Sequence, residues 1–225
     1  MSEATASPRI DPARAEHFIQ SNTSPLAPPH VPEVTLRLAD EAHDLWLRTE
    51  EELAAIGLPP PFWAFAWAGG QGLSRHLLDR PETVRGRTVL DFASGSGLVA
   101  IAAAKAGARE VTAVDIDPFA PAAMRLNAEL NGVTFDIRLL DLVGHDVAAE
   151  VVLAGDVFFD REMAARIAPW FDRLVEQGHE VLVGDPGRAY LPKDKVEHLS
   201  THEVPVTRAL EDAEVKRTTV WRWRG

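Results

Sequence analysis

Thr88-Val-Leu-Asp-Phe-Ala-Ser-Gly-Ser-Gly-Leu-Val-Ala-Ile-Ala-Ala-Ala104 is the stretch on which the fold turns. An apolar, β-branched run ends at Asp91, two glycines follow at Gly95 and Gly97, and an alanine-rich segment continues to Lys105 without a breaker. This is the pattern of strand, tight turn and helix that opens a nucleotide-binding α/β unit. Glycine suits the turn because it reaches positive φ and lets a ligand come close to the backbone.

Downstream the pattern repeats. Glu110 to Asp117 reads as a second strand, with Asp117 as N-cap and Pro118 in the first turn of a helix that Asn131-Gly132 stops. Val133 to Leu140 is a third strand ending at Asp141, and Glu150 to Ala154 a fourth ending at Gly155-Asp156. A helix over Arg161 to Gln177 and a fifth strand over Glu180 to Gly184 complete the alternation, which specifies a parallel sheet. His198 to Val206 and Lys216 to Arg224 are two strands with no full helix between them, an antiparallel hairpin at the sheet edge.

Upstream, residues 1–57 form an extension: a short helix near Pro12 to Gln20, a proline-rich extended segment and a strand at Val34 to Leu38. An amphipathic helix from Asp40 to Ile56 follows, and its Glu50-Glu51-Glu52 run is a solvated face. Residues 58–225 form the main domain, which starts on Pro59-Pro-Pro-Phe-Trp-Ala-Phe-Ala-Trp-Ala-Gly-Gly-Gln71 and a helix over Gln71 to Asp79. Phe62 and Phe65 read equally well as a plug beneath the sheet, whereas Trp67, beside Gly69 and Gly70, suits a pocket wall.

The 225 residues are 46% hydrophobic and carry a net charge of −11. Such a chain is poorly suited to gripping phosphate backbones and better suited to cationic partners such as lysine-rich protein surfaces. With no cysteine, disulfides, thiolate metal sites and thiol nucleophiles are excluded. No signal core, transit peptide or bilayer-length apolar run is present, so the expectation is a soluble cytoplasmic protein with no membrane partner. Val220-Trp-Arg-Trp-Arg224 has the alternation of a half-buried strand, and no nucleic-acid partner is expected. His198 and His202 fall in a strand without a supporting glutamate motif, and no metal is expected. Ser94 and Ser96 lack the nucleophile-elbow pattern of a hydrolase.

Gly95 to Ala100 formally matches the dinucleotide fingerprint, but the register differs. A carboxylate ends the strand, where it would repel a pyrophosphate and attract an ammonium. S-adenosylmethionine carries an ammonium, ribose hydroxyls and an exocyclic amine. The first three strands each end in an acid at the edge where open α/β sheets bind ligands. Asp91 would meet the amino-acid end, Asp115 the ribose and Asp141 the adenine amine, with Trp67, Gly70, Ala93, Gly95, Gly97 and Ile116 lining the site.

These features resemble the seven-β-strand class I methyltransferases. Gly155-Asp-Val-Phe-Phe-Asp160, the aromatic stretch before Gln71 and Gly184-Asp-Pro-Gly-Arg-Ala-Tyr-Leu-Pro192 resemble, within that group, the electron-transfer-flavoprotein β-subunit lysine methyltransferases, over roughly Phe18 to Arg224. The resemblance implies a Rossmann-like seven-strand sheet with an antiparallel hairpin. It also implies S-adenosylhomocysteine as product and Asp156 as the group that orients the acceptor amine, with Phe158 and Phe159 as its apolar wall. The implied substrate is the electron transfer flavoprotein β subunit. A ribosomal protein, a catalytically silent cofactor-binding module and, more distantly, an NAD-dependent dehydrogenase are the alternatives. Ala93 stands where many methyltransferases have glycine, and Phe159 where the lysine-methylating group often has tyrosine.

Overall fold

The structure, a computed structural model, describes residues 10–39, 60–206 and 213–225. The helix expected over Asp40 to Ile56, with its acidic run, lies outside the described residues. Strands β3 (Thr88–Phe92), β4 (Glu110–Asp115), β5 (Asp136–Leu139), β6 (Val151–Gly155), β7 (Glu180–Asp185), β8 (Val196–Pro205) and β9 (Val215–Trp223) form one sheet in the order β5-β4-β3-β6-β7-β9-β8. The first five run parallel, and β9 is antiparallel to both β7 and β8. The order reverses direction between β3 and β6, which is the switch point where such sheets bind ligands.

Period-two alternation divides the strands between two cores. Val89, Val111, Leu153, Leu182 and Val220 face the side covered by α1 (Pro12–Asn22), α2 (Ala68–Asp79), α3 (Leu98–Lys105) and α4 (Ala120–Leu130). Leu90, Val114, Val152, Val183 and Trp223 face α5 (Arg161–Glu176) on the other side. Asp91 shares the face of Val89, so its carboxylate points under α3 and is buried.

The proline-rich arm is extended, and its ends pair as a two-stranded ribbon of β1 (Ser24–Leu26) and β2 (Leu36–Leu38). It is fastened to α4, where Asn127 Oδ1 accepts from Arg37 N at 2.7 Å and Asn131 Oδ1 from Thr35 N at 3.0 Å. Helix α1 lies against α4, with Glu16 paired to Arg125 and Phe18 packed on Phe119.

Several boundaries differ from expectation, with α2 starting at Ala68 rather than Gln71 and β2 at Leu36 rather than Val34, and three of the differences have a clear local cause. The second strand stops at Asp115, because Asp115 Oδ1 accepts from Asp117 N at 2.9 Å and turns the chain there. Helix α4 begins two residues later than Pro118, with Phe119 as N-cap, while Asp117 Oδ1 accepts from Phe119 N at 2.8 Å in the preceding turn. The third strand shortens to Asp136–Leu139, since Val133 N still bonds the α4 carbonyl of Ala128. Among the described residues no helix is long and apolar enough to cross a membrane.

Candidate functional site

A cavity of about 390 Å³ opens at the carboxyl ends of β3, β4 and β6, within the size range of small-molecule sites. Its floor is the turn after β3. Asp91, 1% exposed, accepts from Ala100 N at 3.0 Å and from the Ser94 hydroxyl. Burial pushes its carboxyl up to about 7, against the pull of those two hydrogen bonds. Ala93 holds φ +54° and Gly95 φ +53°. The alanine accepts a left-handed conformation that costs a residue with a Cβ about 1–2 kcal/mol.

Asp115 closes the same turn from β4. Its Oδ2 accepts from Gly95 N at 2.7 Å, and burial raises its pKa. Asp117 also lines the cavity, and burial, with some repulsion from Asp115, raises it to about 7. Three desolvated carboxylates therefore share one wall. Each is costly to charge unless a cation or a hydrogen-bond donor arrives.

The opposite wall is aromatic. Trp67 donates its indole N–H to Phe62 O at 2.9 Å, and Phe62 and Phe65 meet its ring at 5.6 and 5.9 Å. Phe62 also meets Phe159 at 5.5 Å at the cavity rim. Phe65, 3% exposed, belongs to the core as well as to the cavity lining, whereas Phe62, 36% exposed, lines the cavity and is no plug beneath the sheet. Gly70 lines the cavity beside Leu98 and Val99, and half-exposed Ile116 borders it.

Asp156 stands at the end of β6, 7% exposed, with φ +59°. Its N–H donates to Gly184 O at 2.9 Å, and its Oδ2 accepts from Gly69 N. Its Oδ1 accepts from Arg188, at 2.8 Å from Nε and 2.6 Å from Nη2. Arg188 lines the cavity as well. Two segments far apart in sequence, at Gly69 and Arg188, converge on this one carboxylate.

Three expected site residues are placed elsewhere. Phe158 is fully buried among Phe171 and Trp223, stacked 5.6 Å from the latter, so it faces the core rather than an acceptor amine. The turn at Asp156 sends the two adjacent phenylalanines to opposite sides, and only Phe159 reaches the cavity. Asp141 lies outside the cavity lining, where it accepts from Val143 N and pairs with Arg166 at 2.7 Å. Asp117, read from sequence as a cap, occupies the cavity instead. Gly97, with φ +82°, starts α3 and packs on Met124 behind the site. The residue that sequence reasoning missed is Arg188. Its signal was the Asp-Pro-Gly-Arg turn after β7, but nothing local identifies a partner 32 positions away.

Outside the cavity, Arg222 pairs with Glu180 at 2.9 Å and Trp223 is buried, while His198 and His202 engage separate hydroxyl partners. Among the described residues no cluster of His, Asp and Glu is arranged to hold a metal ion.

Comparison with known proteins adds an independent line. A family model described as ribosomal protein L11 methyltransferase (PrmA) matches residues 73–182. The electron transfer flavoprotein beta subunit lysine methyltransferase of Xenopus laevis is 39% identical over 211 residues, covering 91% of this chain and 85% of that protein. Its counterpart in Homo sapiens is 35% identical over 228 residues, covering 94% and 82%. Among solved structures, a ribosomal protein L11 methylase from Lactobacillus delbrueckii subsp. bulgaricus superposes with a TM-score of 0.51 at 22% identity, covering 72% of this chain and 81% of that one. That likeness is one of fold.

Proposed function

We propose, from the premise that this chain belongs to the electron transfer flavoprotein beta subunit lysine methyltransferase family and is a protein-lysine methyltransferase, that its acceptor lysines lie on the electron transfer flavoprotein β subunit and its donor is S-adenosylmethionine. The observation that carries this reading is the position of Asp156, on the wall of the same cavity that Asp91, Asp115 and Asp117 line. Those carboxylates suit a ligand bearing an ammonium and hydroxyls and would repel a phosphate.

Asp91 would face the ammonium, Asp115 would accept from the ribose, and Asp117 takes the place first given to Asp141. Trp67 and Phe62 would cover the ligand's apolar surface and exclude water. When bound, S-adenosylmethionine supplies a methyl on a sulfonium, so that the amine lone pair forms the new C–N bond while the C–S pair returns to sulfur. The protein's part is alignment, which brings nitrogen and carbon to about 3 Å. Asp156 accepts a hydrogen bond from the acceptor amine and aims its lone pair, and Phe159 shields it from water. Phe159 has no hydroxyl, so the carboxylate orients the amine without a tyrosine's help.

The L11 family match over residues 73–182 supports a second acceptor, a ribosomal protein. One experiment separates them. The purified protein is incubated with labelled S-adenosylmethionine and, in parallel, recombinant flavoprotein β subunit or ribosomal protein L11. Label on flavoprotein lysines, mapped by mass spectrometry, is the expected result. Label on L11 alone would favour the second reading, and label on neither despite cofactor binding would leave a silent binder.

A further inference from the structure

A carboxylate beside an acceptor lysine poses a problem. It orients the amine, but it also favours the protonated form, and an ammonium has no lone pair to give. A neighbouring opposite charge commonly raises a lysine's pKa above its ordinary value of about 10.4. The geometry around Asp156 contains an answer.

The Arg188 guanidinium meets Asp156 Oδ1 side-on, through its Nε and Nη2 N–H groups, at 2.8 and 2.6 Å. It is largely buried, with its side chain 21% exposed against 8% for Asp156. Its backbone is fixed in turn, because Asp185, at the end of β7, accepts from Gly187 N at 2.7 Å and Arg188 N at 2.8 Å through Oδ1. Asp185 is itself 1% exposed. The pair is therefore built into the cavity wall and is not a flexible surface contact. A guanidinium keeps its charge at every physiological pH.

We propose that Arg188 is a positioning residue that neutralises Asp156, so that the carboxylate aims the acceptor amine without holding its proton. The inference rests on the lysine-methylating reading above. With Arg188 in place, its guanidinium offsets the Asp156 charge that faces the incoming lysine, whose proton leaves to solvent before transfer. Without it, Asp156 faces the ammonium as a bare anion and retains it.

The test is the pH profile of single-turnover methylation, with the flavoprotein subunit and L11 as parallel acceptors and the faster one setting the scale. Arg188→Gln is expected to move the rising limb at least one pH unit alkaline, costing about tenfold at pH 7 and recovering toward the wild-type rate near pH 9.5. Arg188→Lys should keep the wild-type limb. Affinity for S-adenosylhomocysteine, read by calorimetry, should be unchanged in both. A loss equal at every pH, or an unmoved limb, would overturn the inference and leave the lysine reading standing. Failure of the wild-type protein on both acceptors would overturn the two together. Should Arg188→Gln not fold, Arg188→Met carries the same test, because its side chain is of similar length and uncharged at every pH.

Discussion

Asp91 is 1% exposed and raised to about 7, yet an ammonium-bearing ligand needs it charged. The sign of the resulting pH dependence follows from linkage. Its folded pKa lies above the ordinary carboxylate value, so in the empty protein the cost of charging it is present above about pH 7 and is relieved as pH falls toward 3.8. Ligand binding runs the other way. Affinity for S-adenosylhomocysteine should be flat above pH 7.5 and weaken by up to about tenfold per unit below pH 7, with a proton released on binding. Calorimetry in two buffers of different ionisation enthalpy checks this, and a constant Kd from pH 5.5 to 7.5 would contradict it. Asp117, also raised to about 7, would steepen the slope. Asp91→Asn should remove its share of the slope while weakening binding by about 10- to 100-fold, the loss of one charge-assisted contact.

At the scale of elements, the site depends on how closely α2 meets β7. A Cβ on Gly184 would collide with the Gly69 carbonyl and lie 2.8 Å from Leu73 Cβ, and one on Gly155 would lie 2.9 Å from Gly70 Cα. Backbone thus meets backbone where Gly69 N reaches Asp156. Gly184→Ala should cost at least about 3 kcal/mol, beyond the usual penalty for an overfilled core. It should lower Tm by roughly 6–12 °C, and a thermal melt within 2 °C of wild type would refute the packing argument. The glycine pair was visible in the sequence, but its meaning was not: it read as room for a ligand, and Gly69 instead makes room for a strand. The same division holds elsewhere. Strand, turn and helix around Asp91 were legible because their signals are local, in apolar alternation, glycines and an unbroken alanine run. The inward Phe158 and the outward Phe159 were not, since a positive φ at Asp156 reverses the expected facing. That Asp117 rather than Asp141 lines the cavity was not legible either, because it follows from the turn after β4, where Asp115 accepts from Asp117 N. Arg188 became identifiable only once β6 and β7 lay side by side.

At the scale of the molecule, a second buried polar group joins the arm, α2 and the edge hairpin. His76 Nδ1 lies 2.8 Å from Ser200 Oγ, Ser200 Oγ lies 3.0 Å from His202 Nε2, and the His30 ring meets that of His202 at 5.4 Å. Burial, followed by the Arg80 charge, lowers His76 to about 4, and burial lowers His30 and His202 as well. Imidazoles held neutral contribute stability that is complete above pH 6.5 and is lost as pH falls toward 4. Asp91 and Asp117 act oppositely over that window, so the difference between proteins is the informative quantity. His76→Asn should be less stable than wild type at pH 7.5, with the gap narrowing by pH 4.5; thermal melts with a gap independent of pH would contradict this. The measurement that bears most directly on the whole account is single-turnover methylation of the flavoprotein β subunit by wild type and Asp156→Asn, with cofactor affinity measured alongside. Asparagine tolerates the left-handed backbone found at this position, so the fold should survive. The account predicts equal affinity for S-adenosylmethionine and a rate about a hundredfold or more lower in the variant. A variant that methylates lysine at the wild-type rate would contradict it.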